Sequence, residues 1–188
     1  MDSSRKRGGP RLSSGLHTVN FGCLSRLKSI DYGRLSHPKS NMNENIIKKA
    51  KEYTLRLLKY TGRKPLCVIC EDSCSEVSRL LGIWFRKEMP KTKIYIAKGK
   101  IRNQAHDILI IGSNKGVDII DPTVWQFFKN KRSIFMGKTG TIGEALHKLT
   151  EIYGGNWKIS ERITKYSKNE LFELKKTLTK NIGQARRP

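Results

Sequence analysis

Residues 73–88 read SCSEVSRLLGIWFRKE and decide how the rest of the chain is organised. One face of a helix is indicated by apolar residues at helical spacing, namely Val77, Leu80, Leu81, Trp84 and Phe85. Ser73 followed by Glu76 has the form of a capping box, so the helix is predicted to begin at Cys74 and to stop before Pro90. Unpaired N–H groups and the positive end of the helix dipole would then point at the sulfur, a setting that favours a thiolate.

Two further residues downstream can complete a catalytic set with Cys74. His106 opens the apolar run 107–111, and Asp121 closes a second run, 117–121, just before a proline. A thiol nucleophile needs a base or acid that exchanges its proton and a group that orients this base. Cysteine, histidine and aspartate in this order are therefore a candidate triad.

The geometry of the hairpin decides whether His106 and Asp121 can meet. Residues 112–116 have hairpin turn chemistry between the two runs. If 113–114 are the centre of the turn, Asp121 lies opposite His106, and if 114–115 are the centre, it lies opposite residue 108. Both registers put the two side chains on the same face of the sheet, directly across or one diagonal away, whereas a register of opposite parity would separate them.

The remaining sequence predicts an α+β protein with one ordered domain at 41–180. Residues 1–40 are interpreted as a disordered basic arm or an export leader, and 181–188 as a basic tail. The predicted elements are a helix from Asn43 towards Gly62, a buried strand near 66–70, a strand at 93–97, a loop at 99–105, a strand at 133–136, a helix at 141–153, an edge strand at 157–159, and a last helix capped by Ser167 and Glu170.

The composition is strongly basic along most of the chain. Lys and Arg number 38 against 16 Asp and Glu, which gives a formal charge of +22 over 188 residues. Residues 1–40 hold only eight of the basic side chains and two of the acidic ones, so the basicity is not confined to the arm. Such a charge attracts nucleic acid, anionic membrane or an acidic protein. Because no nucleic-acid module is recognisable, nucleic acid is not expected to be the main partner.

The cysteines do not predict a metal site or a disulfide framework. Cys67 and Cys70 have zinc-knuckle spacing, but no second Cys/His pair follows at the usual distance. Both are interpreted as small hydrophobes in a buried strand, and no metal or cofactor is expected. No run approaches the ~18 apolar residues of a membrane span.

The three candidate residues supply the parts of acyl-transfer chemistry. Attack of the Cys74 thiolate on an amide carbon would give a thioacyl intermediate, while His106 protonates the departing amine and then activates water. Amide N–H groups at the helix start could stabilise the oxyanion. Asp72 or Asp118 could replace Asp121 as the partner of the histidine, and Cys70 is an alternative nucleophile.

The segment from about Cys70 to Phe127, and more loosely to Tyr153, resembles papain-like-fold bacterial toxins and effectors, which include glutamine deamidases and cysteine proteases. The likeness lies in 74–78 with the leucines that follow, in the strand opened by His106, and in 120–127 (IDPTVWQF). It implies a papain-like or transglutaminase-like core, in which a nucleophile helix packs on a small antiparallel sheet with flanking helices. Cys74 would be the nucleophile, His106 the base and Asp121 the orienting residue.

The same resemblance implies a secreted or injected virulence factor that acts in the cytoplasm of a target cell. The favoured activity is deamidation of a glutamine in a target-cell protein, with acidic proteins among the candidate substrates, and an acidic inhibitor or chaperone is a further expected partner. Alternatives are a cysteine protease or transglutaminase with the same triad, and a basic binding module for nucleic acid or an acidic protein without catalysis.

One departure concerns the oxyanion site. Papain-type proteases place a glutamine a few residues before the nucleophile, whereas this chain has Asp72 and Ser73 there. Asp72 is a poor donor unless it is protonated, so the oxyanion would depend on backbone groups. Asp72, Ser73 and Trp125 are the candidates for oxyanion or substrate binding, with Trp125 expected either to cover the strand ends or to border the cleft.

Overall fold

A computed structural model describes residues 42–129 and 133–185, and the predicted arm at 1–40 lies outside them. The chain is α+β, and its elements are α1 (Glu44–Leu57), α2 (Leu66–Ile69), α3 (Cys74–Glu88), β1 (Lys93–Ile101), β2 (Gln104–Ser113), β3 (Gly116–Asp121), β4 (Phe135–Thr139), α4 (Ile142–Tyr153), β5 (Lys158–Arg162) and α5 (Lys168–Ala185). Among the described residues, no helix combines the length and the apolar character needed to cross a bilayer.

The five strands form one antiparallel sheet in the order β4-β3-β2-β1-β5. Helices α1, α3 and α5 cover one face, where side chains such as Ile96 and Leu109 are buried. Helix α4 covers the other face, where Ile108 and Ile110 are buried. Since side chains alternate along a strand, the central strand β2 needs apolar residues at consecutive positions, which explains the apolar residues at 108–111.

The β1–β2 connection corrects the predicted loop at 99–105. β1 continues to Ile101, and Arg102 and Asn103 form a two-residue turn that places Ile101 opposite Gln104. Both turn residues have positive φ, 51° and 66°. The twist of a two-residue hairpin turn requires positive φ at both residues. Arginine is not a residue type that predicts such a turn from the sequence. His106 is therefore the third residue of β2, and Gly99 lies directly opposite it.

The β2–β3 hairpin adopts the second of the two predicted registers. Ser113 pairs with Gly116, which makes 114–115 the centre of the turn, and the ladder runs to Leu109 opposite Ile120. Continuing this register by one residue brings Asp121 level with residue 108, one diagonal from His106. The parity argument for His106 and Asp121 sharing one face is confirmed.

Several other predictions are corrected by the structure. Cys67 and Cys70 lie in and just after helix α2, not in a strand, because Pro65 begins a helical turn. β4 begins at Phe135, two residues later than predicted. Helix α5 continues to Ala185 with Ile182 buried, so 181–185 do not belong to a tail. The capping box of Ser167 and Glu170 is confirmed by bonds of 2.7 and 3.2 Å.

A buried ion network fixes α3 to the sheet one turn after Cys74. Arg79 contacts Asp107 of β2 and Glu161 of β5, each at 2.8 Å, and donates to the Ser75 hydroxyl at 2.6 Å. The Asp107 side chain is only 3% exposed. Removal of the Arg79 guanidinium would leave the Asp107 carboxylate buried without a counter-charge.

We expect Arg79→Met to lower the free energy of unfolding by about 3–5 kcal/mol, the usual cost of breaking a buried pair from one side. Arg86→Met on the same helix is the matched control, because Arg86 donates only one bond of 3.2 Å, to the Ile163 carbonyl. Its loss should cost about 1 kcal/mol. Urea unfolding of both variants measures the difference, and equal losses would contradict the role of the network.

Candidate active site

Cys74 is the first residue of helix α3, as the sequence predicts, but the predicted capping box is wrong. Ser73 makes no side-chain cap, and its hydroxyl donates instead to the Glu71 carbonyl at 3.1 Å. Burial raises the pKa of Glu76, whose Oε2 is buried without a hydrogen-bond partner. The first amide groups of α3 have no carbonyl acceptor within the helix, and Cys74 lies at this end.

His106 and Asp121 meet in the interior of the protein. Nε2 of His106 lies 3.0 Å from Oδ2 of Asp121, and both side chains are 0% exposed. A carboxylate can only accept, so Nε2 donates. Asp121 also accepts the Tyr153 hydroxyl at 2.9 Å and the Thr123 N–H at 3.0 Å. Three donors therefore hold the carboxylate in one orientation.

Cys74 lies near His106 at the end of the sheet where β2 is no longer paired with β3. The first residues of β2 pair only with β1, because the β2–β3 ladder ends at Leu109. The Cys74 thiol approaches from the α3 side, with Sγ 3.8 Å from the Ala105 carbonyl oxygen. Nδ1 of His106 is the ring nitrogen left for the sulfur, and it makes no hydrogen bond of ordinary geometry. The sulfur–imidazole contact is thus looser than the imidazole–carboxylate bond.

The electrostatic environment favours a protonated His106. Burial opposes the charged imidazolium, but the Asp121 carboxylate and the Cys74 sulfur outweigh it and raise the pKa of His106 to about 10. The direction of this shift follows from an opposite charge in hydrogen-bond contact. At neutral pH the site therefore holds an imidazolium between a carboxylate and a sulfur.

The raised pKa of His106 predicts an alkaline limit to the chemistry. Because the folded value of about 10 exceeds the ordinary 6.5, protonation stabilises the fold fully below pH 6.5, and this contribution is lost as the pH rises through 10. We expect any reaction that uses the His106 proton to slow above about pH 10. The stability difference between wild type and His106→Gln should also shrink between these two pH values. A pH–rate profile and urea unfolding measure these effects, and a rate that falls near pH 6.5 would contradict the prediction.

Aromatic rings enclose the imidazole on the α4 side. Phe127 meets His106 edge-on at a centroid distance of 4.9 Å, and Trp157 does so at 6.4 Å. The Trp157 indole donates to the Gly154 carbonyl at 2.9 Å and lies against Gly99. These rings exclude water from the imidazole–carboxylate pair and so strengthen it.

Gly99 is required for this packing. A Cβ at residue 99 would lie 2.4 Å from Cδ2 of the Trp157 ring. We expect Gly99→Ala to cost about 1–3 kcal/mol of stability through overpacking. Gly112→Ala is the control, since the nearest atom to its added Cβ is at 3.7 Å. Thermal unfolding of both is the measurement, and adding Trp157→Ala to Gly99→Ala should cost less than the sum of the two single changes.

The structure separates the remaining site candidates from the triad. Trp125 is 1% exposed and packs in the core, so it covers the strand ends and does not offer a surface to substrate. Ser73 is fully buried. Asp72 is exposed with a φ of 52°, and its carbonyl accepts from Asn181 at 2.8 Å. Neither Asp72 nor Asp118 takes the place of Asp121 beside the imidazole.

Cys70, the alternative nucleophile, lies close to the same centre. Its Sγ is 4.0 Å from the Thr123 carbonyl oxygen, and the residue is 0% exposed. Burial, reinforced by the nearby Asp121 carboxylate, raises the pKa of the Cys70 thiol far above its ordinary value. Cys70 therefore stays protonated at neutral pH, in contrast to the thiolate that a nucleophile requires.

Tyr153 and Trp157 are site residues that the sequence did not reveal. Tyr153 ends α4 and was interpreted as a helix residue, while Trp157 was placed in an edge strand but precedes β5. Their approach to the centre depends on how α4 crosses the sheet. The described residues hold no group of three or more His, Cys, Asp or Glu arranged to bind a metal ion.

Comparisons of the chain with protein-family models, with curated protein sequences and with solved structures found no match.

Proposed function

We propose that this protein is a cysteine-dependent amidohydrolase with Cys74 as nucleophile, His106 as acid and base, and Asp121 as orienting residue. The observation that carries the proposal is the fully buried His106–Asp121 pair, 3.0 Å apart, with the Cys74 thiol at the start of α3 close enough to the imidazole to raise its pKa. The arrangement supplies the nucleophile, proton carrier and orienting group that thiol catalysis needs. It also supports a papain-like core, since a nucleophile helix packs on an antiparallel sheet that carries the other two residues.

The proposed reaction has two steps, acylation of Cys74 and hydrolysis of the thioester. The Cys74 thiolate attacks the carbon of a carboxamide, and the oxyanion forms near the amide N–H groups at the start of α3. The His106 imidazolium gives its proton to the departing nitrogen, which leaves a thioester on Cys74. His106 then takes one proton from water while the water oxygen attacks the thioester. The C–S bond breaks with its electron pair on Cys74, which restores the thiolate–imidazolium pair, and the released carboxylic acid gives its remaining proton to solvent.

The recessed position of the thiol favours a side-chain amide as substrate. Cys74 is 8% exposed, and His106 and Asp121 are fully buried. A glutamine carboxamide stands at the end of a flexible side chain and can enter a narrow opening, whereas a backbone peptide bond needs a cleft that admits chain on both sides. The proposed reaction is therefore deamidation of a glutamine in a protein. Secretion or injection into a target cell, as a toxin or effector, is proposed on the resemblance alone.

Peptide-level mass spectrometry of lysate proteins tests this function. Lysate is treated with wild type or with Cys74→Ala, and peptides are searched for glutamine converted to glutamate and for new termini. A wild-type-specific conversion at one glutamine supports deamidation, and new termini would favour a protease. A glutamine joined to an amine would indicate transglutamination, while binding without any Cys74-dependent change would contradict the enzyme and favour a basic binding module.

A further inference from the structure

A groove of ≈ 560 Å³ lies beside the nucleophile. Its lining consists of three lysines together with Gly99, Ala105, Asn156 and Trp157, and we call it the lysine groove. Because Gly99 and Trp157 lie on the α4 side, the groove runs along the edge of the sheet. The lysines are Lys98 and Lys100 of β1 and Lys158 of β5, and all three are exposed. No acidic residue of the described chain belongs to this lining.

The groove and the Cys74 thiol have Ala105 as a common neighbour. Ala105 lines the groove, and the Ala105 carbonyl is the group that lies 3.8 Å from Cys74 Sγ. Lys98 and Lys100 share the strand face of Ile94 and Ile96, which α3 covers further along. Lys100 is level with Ala105, next to Cys74, and Lys98 is level with Asp107, which Arg79 of α3 contacts. These two lysines therefore lie beside the N-terminal half of α3.

The positive charge of the groove is not neutralised within the described chain. Lys98 lies directly opposite Lys158 in the β1–β5 pair, and like charges at such positions repel. On the other side Lys98 lies opposite Asp107, but that carboxylate is bound to Arg79. Among residues 42–129 and 133–185, no carboxylate forms an ion pair with any of the three lysines. An anionic ligand would relieve this repulsion.

We propose that the lysine groove binds acidic side chains that flank the target amide, so that the substrate is a protein segment with Asp or Glu next to the reacting glutamine. This inference rests on the proposed amidohydrolase function and adds its substrate class. A carboxylate in the groove places the neighbouring residue at Ala105 and hence at the sulfur. Electrostatic attraction of this kind raises the association rate and falls with salt.

Electrophilic peptides test the groove without knowledge of the natural target. In each peptide a chloroacetamide replaces the reacting carboxamide, so that the Cys74 thiolate displaces chloride and forms a thioether. One peptide carries glutamates on both sides of the electrophile, and the other carries the isosteric glutamines. At low salt we expect the acidic peptide to alkylate Cys74 about tenfold faster in wild type. The advantage should disappear in Lys98→Ala/Lys100→Ala/Lys158→Ala.

A matched control removes the same charge elsewhere, in Lys48→Ala/Lys49→Ala/Lys87→Ala. Lys87 is roughly 20 Å from Cys74 along α3 at 1.5 Å per residue. Lys48 and Lys49 are exposed on α1, whose start shares a surface pocket with Met89, just past the end of α3. This variant should keep the preference for the acidic peptide, and urea unfolding should show that both triple variants are folded.

The alkylation rates distinguish failure of the groove proposal from failure of the amidohydrolase proposal. Equal alkylation rates of the two peptides in wild type, or an acidic preference that survives loss of the groove lysines, would overturn the groove proposal alone. Alkylation of Cys74 no faster than free cysteine with either peptide would count against the amidohydrolase itself. An RNA oligonucleotide that blocks alkylation more strongly than a polyglutamate of equal charge would assign the groove to nucleic acid and overturn the proposal.

Discussion

Cys74→Ala should lower the rate of amide hydrolysis by about 10³–10⁶, whereas Cys70→Ala should leave it within a few-fold of wild type. Cys70 lies near the Asp121 carboxylate, whereas Cys74 stands at the start of α3 beside His106. Cys70 is held as a neutral thiol by burial and by Asp121, which raise its pKa. The comparison therefore separates a thiol that acts on substrate from one that fills space.

Steady-state kinetics of both variants, with urea unfolding as a check, measures this difference. Cys70 is fully buried, so its truncation is expected to lower stability modestly while the active site keeps its residues. Alkylation followed by peptide mass spectrometry gives a second readout, in which Cys74 should react first. A Cys70→Ala variant that is folded but inactive would contradict the assignment of Cys74 as the nucleophile and favour Cys70.

The sequence was sufficient to predict that α3 begins at Cys74 and that His106 meets Asp121, because the signals there are local. Helix α3 follows from the helical spacing of its apolar residues, and its start at Cys74 is correct although the capping box used to predict it does not form. The meeting of His106 with Asp121 follows from strand parity, which is the same in both registers allowed by the turn. The sequence could not predict that the thiol approaches His106 from the other side of the sheet, because this depends on where the β2–β3 ladder ends.

Two capping-box patterns show where local reasoning fails. Ser167 with Glu170 forms the box, but Ser73 with Glu76 does not. Ser73 has φ and ψ of −108° and 0°, and Asp72 before it has a positive φ, so the backbone enters α3 from a tight turn. An N-cap residue normally lies in the extended region, from which its hydroxyl can reach the helix N–H groups. Tertiary placement of this turn therefore overrides the sequence signal.

The aromatic and phenolic surroundings of His106 could not be predicted from the sequence. Tyr153 and Trp157 lie far along the chain from His106, and neither stands in a motif that names a partner. Their contacts depend on α4 packing across the face opposite α3. The short apolar run that became α2 illustrates a second limit, since periodicity alone does not separate a buried strand from a helical turn.

Asp121→Asn should reduce kcat by about 10³–10⁴ while the fold is kept, which is the effect of the same change in a serine protease triad. The amide has nearly the same shape but no charge to stabilise the imidazolium, and its NH₂ group can turn towards Nε2 and disfavour the required tautomer. Without the carboxylate, His106 loses the main interaction that raises its pKa against the effect of burial. The alkaline limit of the residual activity should therefore move to lower pH.

Asp118→Asn is the matched control for this substitution. Asp118 is 2% exposed on the same strand, three residues before Asp121, and its side chain lies on the opposite face. A role of Asp121 limited to folding would predict similar losses for the two variants and an unchanged pH profile. A catalytic centre that depends on Asp121 predicts instead a fall in kcat and a displaced alkaline limit for Asp121→Asn only. Activity of Asp121→Asn within threefold of wild type would remove Asp121 from the proposed triad and leave the imidazole to be oriented by its aromatic neighbours.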